Sequence, residues 1–212
     1  MFDPKEYWER CFAGLDDGTY DVSIIGPADA CIAYCDRFLG HGSKILDLGC
    51  GACNNAQYMA QRGFDVYGID FSHKAIDFCR RRFNALTLSG DFRTGSLDAI
   101  PFPHSFFDSV VSLAVMDHVT LATAAATCRE IKRVLTTTGT VLFTFAPFPV
   151  DNKIIDEAEV LPDGTMKFIY GVQKGMLFRQ YSDSEIRYLL QGFTIAEFTH
   201  TDHGTRIIIA RP

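Results

Sequence analysis

Residues 44–70 read KILDLGCGACNNAQYMAQRGFDVYGID, and this stretch decides the fold. The apolar run at residues 45–48 predicts a buried strand, and Gly49 and Gly51 then let the backbone turn sharply with no side chain in the way. A helix and a second strand follow, ending at Asp70. A carboxylate at that place can accept hydrogen bonds from both hydroxyls of a ribose. The stretch therefore predicts one half of a doubly wound α/β sheet with a site for an adenosine-bearing ligand.

The charge beside the glycines indicates which ligand this is. Asp47 lies just before the turn, and no Lys or Arg occurs from Ile45 to Gln61. At about 5 Å and an effective dielectric near 20, one carboxylate favours a cation by roughly 3 kcal/mol and disfavours an anion by as much. A dinucleotide would bring a pyrophosphate to this turn. The sign of the charge therefore favours S-adenosylmethionine, which brings an ammonium and a sulfonium.

The same residues resemble a known family. DLGCG at residues 47–51 matches the first motif of class I S-adenosylmethionine-dependent methyltransferases, and GSLDAIPFP at residues 95–103 is similar to the stretch that covers the adenine ring. FDSVV at residues 107–111 is similar to the fourth strand, and the resemblance is closest over residues 40–146. It implies a methyltransferase with S-adenosylmethionine as cofactor. With the charge argument, the predicted cofactor-binding residues are Asp47, Gly49, Cys50, Gly51, Asp70, Phe71, Ser96 and Leu97.

Two positions depart from the family pattern and keep other hypotheses open. Cys53 stands where the family usually has a third glycine, and Ser96 stands where an acid commonly accepts from the adenine amino group. A catalytically silent S-adenosylmethionine-binding protein is therefore the alternative to an active enzyme. An NAD(P)-dependent oxidoreductase is the third hypothesis, and both Asp47 and the predicted carboxyl-terminal hairpin argue against it.

The remaining pattern completes the architecture. Alternating strands and helices predict parallel pairing with right-handed crossovers, and strand five is expected at residues 140–146 after a glycine turn. Strands at residues 194–201 and 205–210 are separated by Asp202-His203-Gly204, which predicts a hairpin. The resemblance implies a Rossmann-like α/β fold, with a seven-stranded, mostly parallel sheet that ends in this antiparallel hairpin. We expect a single methyltransferase domain over residues 1–212.

Two segments outside the sheet are expected to shape the active site. Residues 1–40 contain two predicted helices, at residues 4–13 and 27–39. Residues 147–181 form an insertion that is longer than an ordinary connection and rich in apolar and aromatic side chains. Because ligands bind at the carboxyl ends of the strands in such sheets, we expect this insertion to act as a lid that helps to select the substrate.

Candidate catalytic residues follow strand four. Methyl transfer is an in-line displacement that needs a well-placed nucleophile and the exclusion of water. If a base is needed, His118 is the first candidate, because an unperturbed histidine has a pKa near 6.5. The alternative is that His118 only bonds a loop backbone. Asp117 beside it is predicted either to orient the substrate or to cap the following helix.

Aromatic and cationic residues supply further binding candidates. Trp8 could close over the methionine end of the cofactor, where a ring face attracts the sulfonium, and Tyr7 beside it is a substrate candidate. Hydrophobic docking of their helix is the alternative. Arg179 and Tyr181 could bind a carboxylate or phenol of the acceptor, with an ordinary salt bridge as the alternative for Arg179.

Composition limits the partners. The chain of 212 residues has a formal net charge of −6, which lacks the basic footprint of a nucleic-acid-binding protein. No apolar stretch is long enough to cross a membrane, and the first residues do not resemble a signal peptide. Seven cysteines suit reduced thiols in the cytoplasm, and no metal site is predicted. A small-molecule acceptor is expected, and the oligomeric state is left open.

Overall fold

The computed structural model describes residues 4–17, 26, 28–148 and 158–212. Its helices are α1 (Pro4–Asp17), α2 (Asp29–Phe38), α3 (Asn54–Gln61), α4 (His73–Ala85), α5 (Leu121–Val134) and α6 (Asp183–Leu189). Its strands are β1 (Lys44–Leu48), β2 (Asp65–Asp70), β3 (Asp91–Thr94), β4 (Phe107–Leu113), β5 (Leu135–Phe145), β6 (Ala158–Val160), β7 (Met166–Phe168), β8 (Leu177–Phe178), β9 (Thr194–His200) and β10 (Arg206–Arg211).

Seven strands form one sheet in the order β3-β2-β1-β4-β5-β10-β9. The strands β1 to β5 pair in parallel, whereas β10 runs antiparallel to both β5 and β9. The seven-stranded sheet with a terminal antiparallel hairpin is thus confirmed. The strand order reverses direction between β1 and β4, which opens a crevice at their carboxyl ends.

Both faces of the sheet are covered, as the apolar run of β1 predicted. Ile45 belongs to a buried cluster with residues of α2, α3 and α4, whereas Leu46 belongs to a cluster with residues of α5 and α6. Neighbouring residues of a strand point to opposite faces, so one short strand anchors both halves of the core. Ser72 begins α4 by accepting a hydrogen bond from the Ala75 amide, as a helix cap does.

Strand five differs from the prediction. It begins at Leu135, directly after α5, and Gly139 lies inside the strand and not in a turn before it. Leu135 pairs with Phe107 and Thr140 with Ser109, with an irregular register between these pairs. The run of threonines at residues 136–138 is β-branched and suits an extended backbone, which explains why no turn forms there.

The helices before the sheet also differ slightly from the prediction. The first runs to Asp17, beyond the predicted end at residue 13, and the second begins at Asp29. Pro27, the predicted start of the second helix, lies outside the described residues. Among the residues that the structure describes, the helices lack the length and apolar character that a membrane span requires.

The insertion after β5 contains an element that the sequence pattern did not predict. The strands β6, β7 and β8 form a separate antiparallel sheet, here called the small sheet. Two of its side chains, Phe168 of β7 and Leu177 of β8, are buried. The strand β8 contacts the 3-10 turn Met116–His118 that follows β4. The insertion therefore lies at the carboxyl end of the main sheet. Residues 149–157 of the predicted insertion lie outside the described part of the chain.

Candidate active site

Two adjoining clefts lie at the carboxyl ends of the central strands. The inner cleft is lined by Trp8, Phe12, Gly49, Gly51, Asp70, Phe71, Leu97, Ala114, Val115, His118 and Val119. The outer cleft is lined by Lys5, Trp8, Phe71, Ser96, Leu97, His118, Val119, Thr120, Thr123 and Leu177. Trp8 and His118 are among the residues shared by both clefts, so they stand where the two spaces meet.

The glycine turn forms the floor of the inner cleft. Gly49 and Gly51 have φ angles of +78° and +48°, a region that side chains rarely adopt. A Cβ atom on Gly49 would lie 2.6 Å from Cγ2 of Val115, which is closer than carbon atoms approach. The bare backbone of Gly49 is therefore needed because the Val115 side chain packs directly against it.

Asp70 is fixed beside this turn. It is 5% exposed; Oδ2 accepts from the Gly51 amide at 3.1 Å and Oδ1 from the Ser72 amide at 2.9 Å. Burial raises the pKa of Asp70 to about 6, and hydrogen bonds from the backbone of Ser72, Gly51 and Phe71 oppose that rise. The carboxylate also lines the inner cleft, where it can accept from a ligand hydroxyl.

Asp47 lies behind the turn and does not line either cleft. Its side chain is 2% exposed, it accepts from the Ala56 amide, and Oδ2 has no hydrogen-bond partner within the described chain. Burial raises the pKa of Asp47 to about 7, with the charge of Asp70 adding to the rise. The predicted attraction for a cation would therefore act through the turn, and it depends on whether this carboxyl is ionised.

The two cysteines of the turn face the core. Cys50 is 7% exposed and Cys53 is fully buried, and neither lines a cleft. The Cys50 amide donates to Ile69 O at 3.0 Å. Cys53 precedes α3 with a φ angle of +56°, so it occupies the left-handed conformation that suits the glycine usual in the family. The side chain of Cys50, a predicted cofactor-binding residue, thus has a packing role.

Phe71, Ser96 and Leu97 also line the clefts. Phe71 and Leu97 line both clefts, whereas Ser96 lines only the outer one. The Ser96 hydroxyl donates a hydrogen bond to Asp98. An acid that the family pattern places at position 96 is therefore supplied two residues later, and it makes the serine oxygen a better acceptor.

His118 is held between the amino-terminal helix and the small sheet. Its Nδ1 lies 3.0 Å from Leu177 O, and its ring lies 5.1 Å from that of Trp8 and 5.7 Å from that of Phe178. A carbonyl oxygen only accepts, so Nδ1 carries the proton and Nε2 keeps a lone pair. Burial lowers the pKa of His118 below its ordinary value, so the ring is neutral at pH 7.

Asp117 is a structural neighbour of this histidine. It is 2% exposed, and Oδ2 accepts from the Ala146 amide at 2.9 Å. Its backbone oxygen accepts from the Arg179 amide at 2.6 Å. The cap of α5 is Thr120 and not Asp117, so the capping alternative is wrong. Asp117 lines neither cleft; it joins the loop after β4 to β5 and to the small sheet.

The amino-terminal helix covers the clefts from above. Trp8 lines both clefts, and the ring of Tyr7 lies edge-on to it at 5.0 Å. Arg10 donates to Lys174 O at 2.5 Å, and a Cβ on Gly175 would lie 3.2 Å from Cβ of Tyr7. Tyr7 therefore contacts the insertion, and only Trp8 of this predicted pair reaches the cleft walls.

Arg179 and Tyr181 are not brought to the clefts. Arg179 is 6% exposed, and its guanidinium donates to Asp163 O and to Glu185 Oε1. Tyr181 is fully buried, with its ring 5.3 Å from that of Phe145. Neither side chain lines either cleft, so both lie away from the space where the sequence hypothesis placed an acceptor.

Sequence reasoning missed three kinds of lining residue. Phe12 lies one helical turn after Trp8, so helical spacing could have indicated it. Val115 and Ala114 immediately follow β4, where ligands are expected, and Ala114 has a φ of +54°. Leu177 had no local signal, because the fold of the insertion decides its place.

Comparison with known proteins agrees with this geometry. The family profile "Methyltransferase domain" matches residues 46–143. A ubiquinone biosynthesis O-methyltransferase of Azoarcus sp. (strain BH72) is 38% identical over 79 residues, which are 37% of this chain and 34% of that protein. A fatty-acid O-methyltransferase of Mycolicibacterium smegmatis is 36% identical over 74 residues, which are 34% of this chain and 26% of that protein. The chain thus spans about a third or less of the length of these two relatives.

A solved structure shares the fold over most of the chain. The structure of an S-adenosylmethionine-dependent methyltransferase from Methanosarcina mazei superposes with a TM-score of 0.69 at 21% identity, covering 83% of this chain and 95% of that one. The sheet order and the crevice at the glycine turn define a nucleotide-type binding fold. Residues 46–143 thus carry the profile of a methyltransferase domain, on a fold shared with an S-adenosylmethionine-dependent methyltransferase.

The clefts fit the cofactor of this family. A bare turn at Gly49 and Gly51, the bound carboxylate of Asp70 and the apolar walls at Phe71 and Leu97 match a methionine arm, a ribose and an adenine in turn. Asp70 leads the fit, because its carboxylate is held beside the glycine turn and lines the inner cleft.

Proposed function

We propose that the chain is an active methyltransferase that uses S-adenosylmethionine to methylate an oxygen atom of a small-molecule acceptor, with His118 as the general base. One observation carries the proposal: the His118 imidazole stands where the two clefts meet, with Nδ1 hydrogen-bonded to Leu177 O and Nε2 left to accept a proton. When bound, the cofactor supplies an electrophilic methyl group on a sulfonium. The rest of the work is positioning and proton removal by this chain.

The cofactor would be held mainly by four groups. Asp70 would accept from the ribose hydroxyls, and the backbone at Gly49 and Gly51 would approach the methionine arm closely. Leu97 and Phe71 would enclose the adenine, with Ser96 as an acceptor for its amino group. Trp8 would close over the methionine end, where its ring face favours a cation.

An oxygen acceptor agrees with a histidine base. Both curated relatives are named as O-methyltransferases. A hydroxyl is a poor nucleophile until it loses its proton, and Nε2 of His118 would take that proton while the acceptor oxygen bonds to the methyl carbon, whose bond to sulfur breaks to leave a neutral thioether. Walls formed by Trp8, Val119 and Leu177 would exclude water and favour an acceptor with an apolar body.

The insertion is proposed to act as the lid of this site. The small sheet supplies Leu177 to the outer cleft and a carbonyl to His118, and Arg10 of α1 donates to Lys174 O in the same insertion. Helix α1 and the small sheet thus meet over the clefts. Entry of an acceptor would require this roof to separate.

The test measures cofactor binding first and methyl transfer second. Titration calorimetry should show binding of S-adenosylmethionine and S-adenosylhomocysteine, and none of NADH. Cofactor labelled in its methyl group should then pass the label to hydroxylated small molecules in an extract. Binding without transfer would favour the silent binding protein, and binding of NADH would overturn the assignment.

The base is tested by one substitution and one control. His118→Asn keeps an N–H donor for Leu177 O, because the asparagine amide mimics Nδ1, but it removes the Nε2 lone pair. We expect the kcat for transfer to fall by roughly 10²- to 10⁴-fold with cofactor affinity nearly unchanged. His203→Asn, at an exposed site in the terminal hairpin turn, should leave kcat unchanged. Full activity of His118→Asn would contradict the role of the base.

A further inference from the structure

The tautomer of His118 is set by a different part of the chain. Leu177 O lies 3.0 Å from Nδ1, and no residue of the loop that carries His118 makes this contact. Histidine in water favours the proton on Nε2, and a hydrogen bond to the other nitrogen reverses that preference. The lone pair needed by a base therefore depends on the position of one carbonyl of the small sheet.

That carbonyl has little support from its own strand. The strand β8 has two residues, Leu177 and Phe178, and among the strands that the structure describes it pairs only with β7. The next residue provides a second link, since the Arg179 amide donates to Asp117 O at 2.6 Å. Two hydrogen bonds thus join residues 177–179 to the loop that carries His118, and what holds Arg179 also holds Leu177.

The guanidinium of Arg179 is the anchor behind this strand. It is 6% exposed, donates to Asp163 O and to Glu185 Oε1 at 2.9 Å, and lies 5.0 Å from the ring centre of Tyr181. The Asp163 carboxylate in turn accepts from the Leu121 amide at 2.9 Å. Arg179 therefore ties the turn of the small sheet to α6, and that turn is tied to the start of α5.

We propose that Arg179 is a positioning residue, whose guanidinium fixes the small sheet so that the Leu177 carbonyl keeps the His118 proton on Nδ1 and leaves Nε2 free. The inference rests on the proposed role of His118 as the base. Arg179 touches neither cleft, so it acts on the acceptor only through the imidazole. This role replaces direct binding of an acceptor carboxylate by Arg179.

The tautomer can be observed without turnover. In protein labelled with ¹⁵N-histidine, long-range ¹H–¹⁵N spectra at pH 8 distinguish protonated from free ring nitrogens, and His118→Asn identifies the signal among the six histidines. We expect His118 to appear with the proton on Nδ1 in the wild type. In Arg179→Met, which keeps the apolar stem, we expect a mixture with Nε2–H. An unchanged Nδ1–H signal in folded Arg179→Met would overturn the proposal.

A milder variant and a matched control complete the design. Glu185→Gln removes the charge that Arg179 faces but keeps a side chain able to complete the capping box of α6, so it should fold. We expect Glu185→Gln to raise the proportion of the Nε2–H tautomer of His118, by less than Arg179→Met does. If Arg179→Met does not fold, an unchanged tautomer in Glu185→Gln would overturn the proposal. Lys167→Met removes another cation of the small sheet, one that bridges Glu159 at 3.3 Å, and should leave the tautomer unchanged. The same shift in Lys167→Met would also overturn it.

The two proposals fail in different ways. If His118→Asn retains full transfer, His118 is not the base. The tautomer of His118 in Arg179→Met is measured without turnover, so it tests the role of Arg179 separately. Where both hold, Arg179→Met should lower kcat by at least about tenfold and leave the dissociation constant of the cofactor within about twofold, because the inner cleft does not include Arg179. A loss of cofactor binding with an unchanged tautomer would indicate a purely structural role and overturn the proposal.

Discussion

The Nδ1 atom of His118 lies 3.0 Å from the carbonyl oxygen of Leu177, so the loop after β4 and the small sheet share one hydrogen bond at the meeting point of the two clefts. This bond leaves Nε2 as the free ring nitrogen. It also links the geometry of the candidate base to an insertion that is distant in sequence. In the proposed mechanism, the proton acceptor is therefore available only when the insertion is in place.

Activity should fall at acidic pH. Burial lowers the pKa of His118 below 6.5, and a base works only when neutral, so activity is present above that lowered pKa and lost as the pH falls through it. We expect kcat at saturating cofactor to be flat above neutral pH and to decline at acidic pH. The residual activity of His118→Asn should lack this acid limb. A wild-type limb centred well above pH 7 would contradict the neutral buried ring.

Cofactor affinity should rise with pH. Burial raises the pKa of Asp47 to about 7 and that of Asp70 to about 6, and a cationic ligand favours the ionised forms. Binding should strengthen as the pH rises through this range, by up to about tenfold per pH unit for each carboxyl that must ionise. Calorimetry of S-adenosylmethionine from pH 5.5 to 8 measures this. S-adenosylhomocysteine, which lacks the sulfonium charge, should depend less on pH, and equal dependence would contradict the electrostatic argument.

Gly49→Ala should weaken both the fold and cofactor binding. The added Cβ would lie 2.6 Å from Cγ2 of Val115 at a φ of +78°, so the turn must shift. We expect a loss of about 1–3 kcal/mol in stability by thermal or urea unfolding, and at least tenfold weaker cofactor binding. Gly40→Ala, where nothing lies within 4 Å of the new atom, is the control and should be neutral. Adding Val115→Ala should restore part of the loss.

At Cys53, a glycine variant should be more stable than an alanine variant, which is the reverse of the usual order. Cys53→Ala keeps the left-handed backbone at φ +56° and loses the sulfur, whereas Cys53→Gly also relieves a strain of about 1 kcal/mol. We therefore expect Cys53→Gly to melt at a higher temperature than Cys53→Ala. Cys31, buried inside α2, is the matched control, where glycine should be less stable than alanine by about 1 kcal/mol. The same order at both sites would show that Cys53 is unstrained.

Local patterns determined most of the fold and the floor of the site. The apolar run before Gly49 and the position of Asp70 specify a buried strand, a bare turn and a ribose acceptor, because each depends on residues close in sequence. The prediction was wrong about the start of β5, because Gly139 after the threonines indicated a turn. In the structure Leu135 pairs with Phe107, and the backbone from Leu135 onward is extended. Propensity yields to pairing across the sheet.

The sequence alone determined an α/β sheet of methyltransferase type and the carboxylate beside its glycine turn, because short-range spacing and hydrophobic alternation encode them. Only the tertiary structure decided that His118 faces a carbonyl from residue 177 and that Arg179 is buried and lines neither cleft. Such contacts join segments about sixty residues apart, and no local pattern records where two distant segments meet. The physical reason is that a hydrogen bond between loops is set by the packing of everything beneath them.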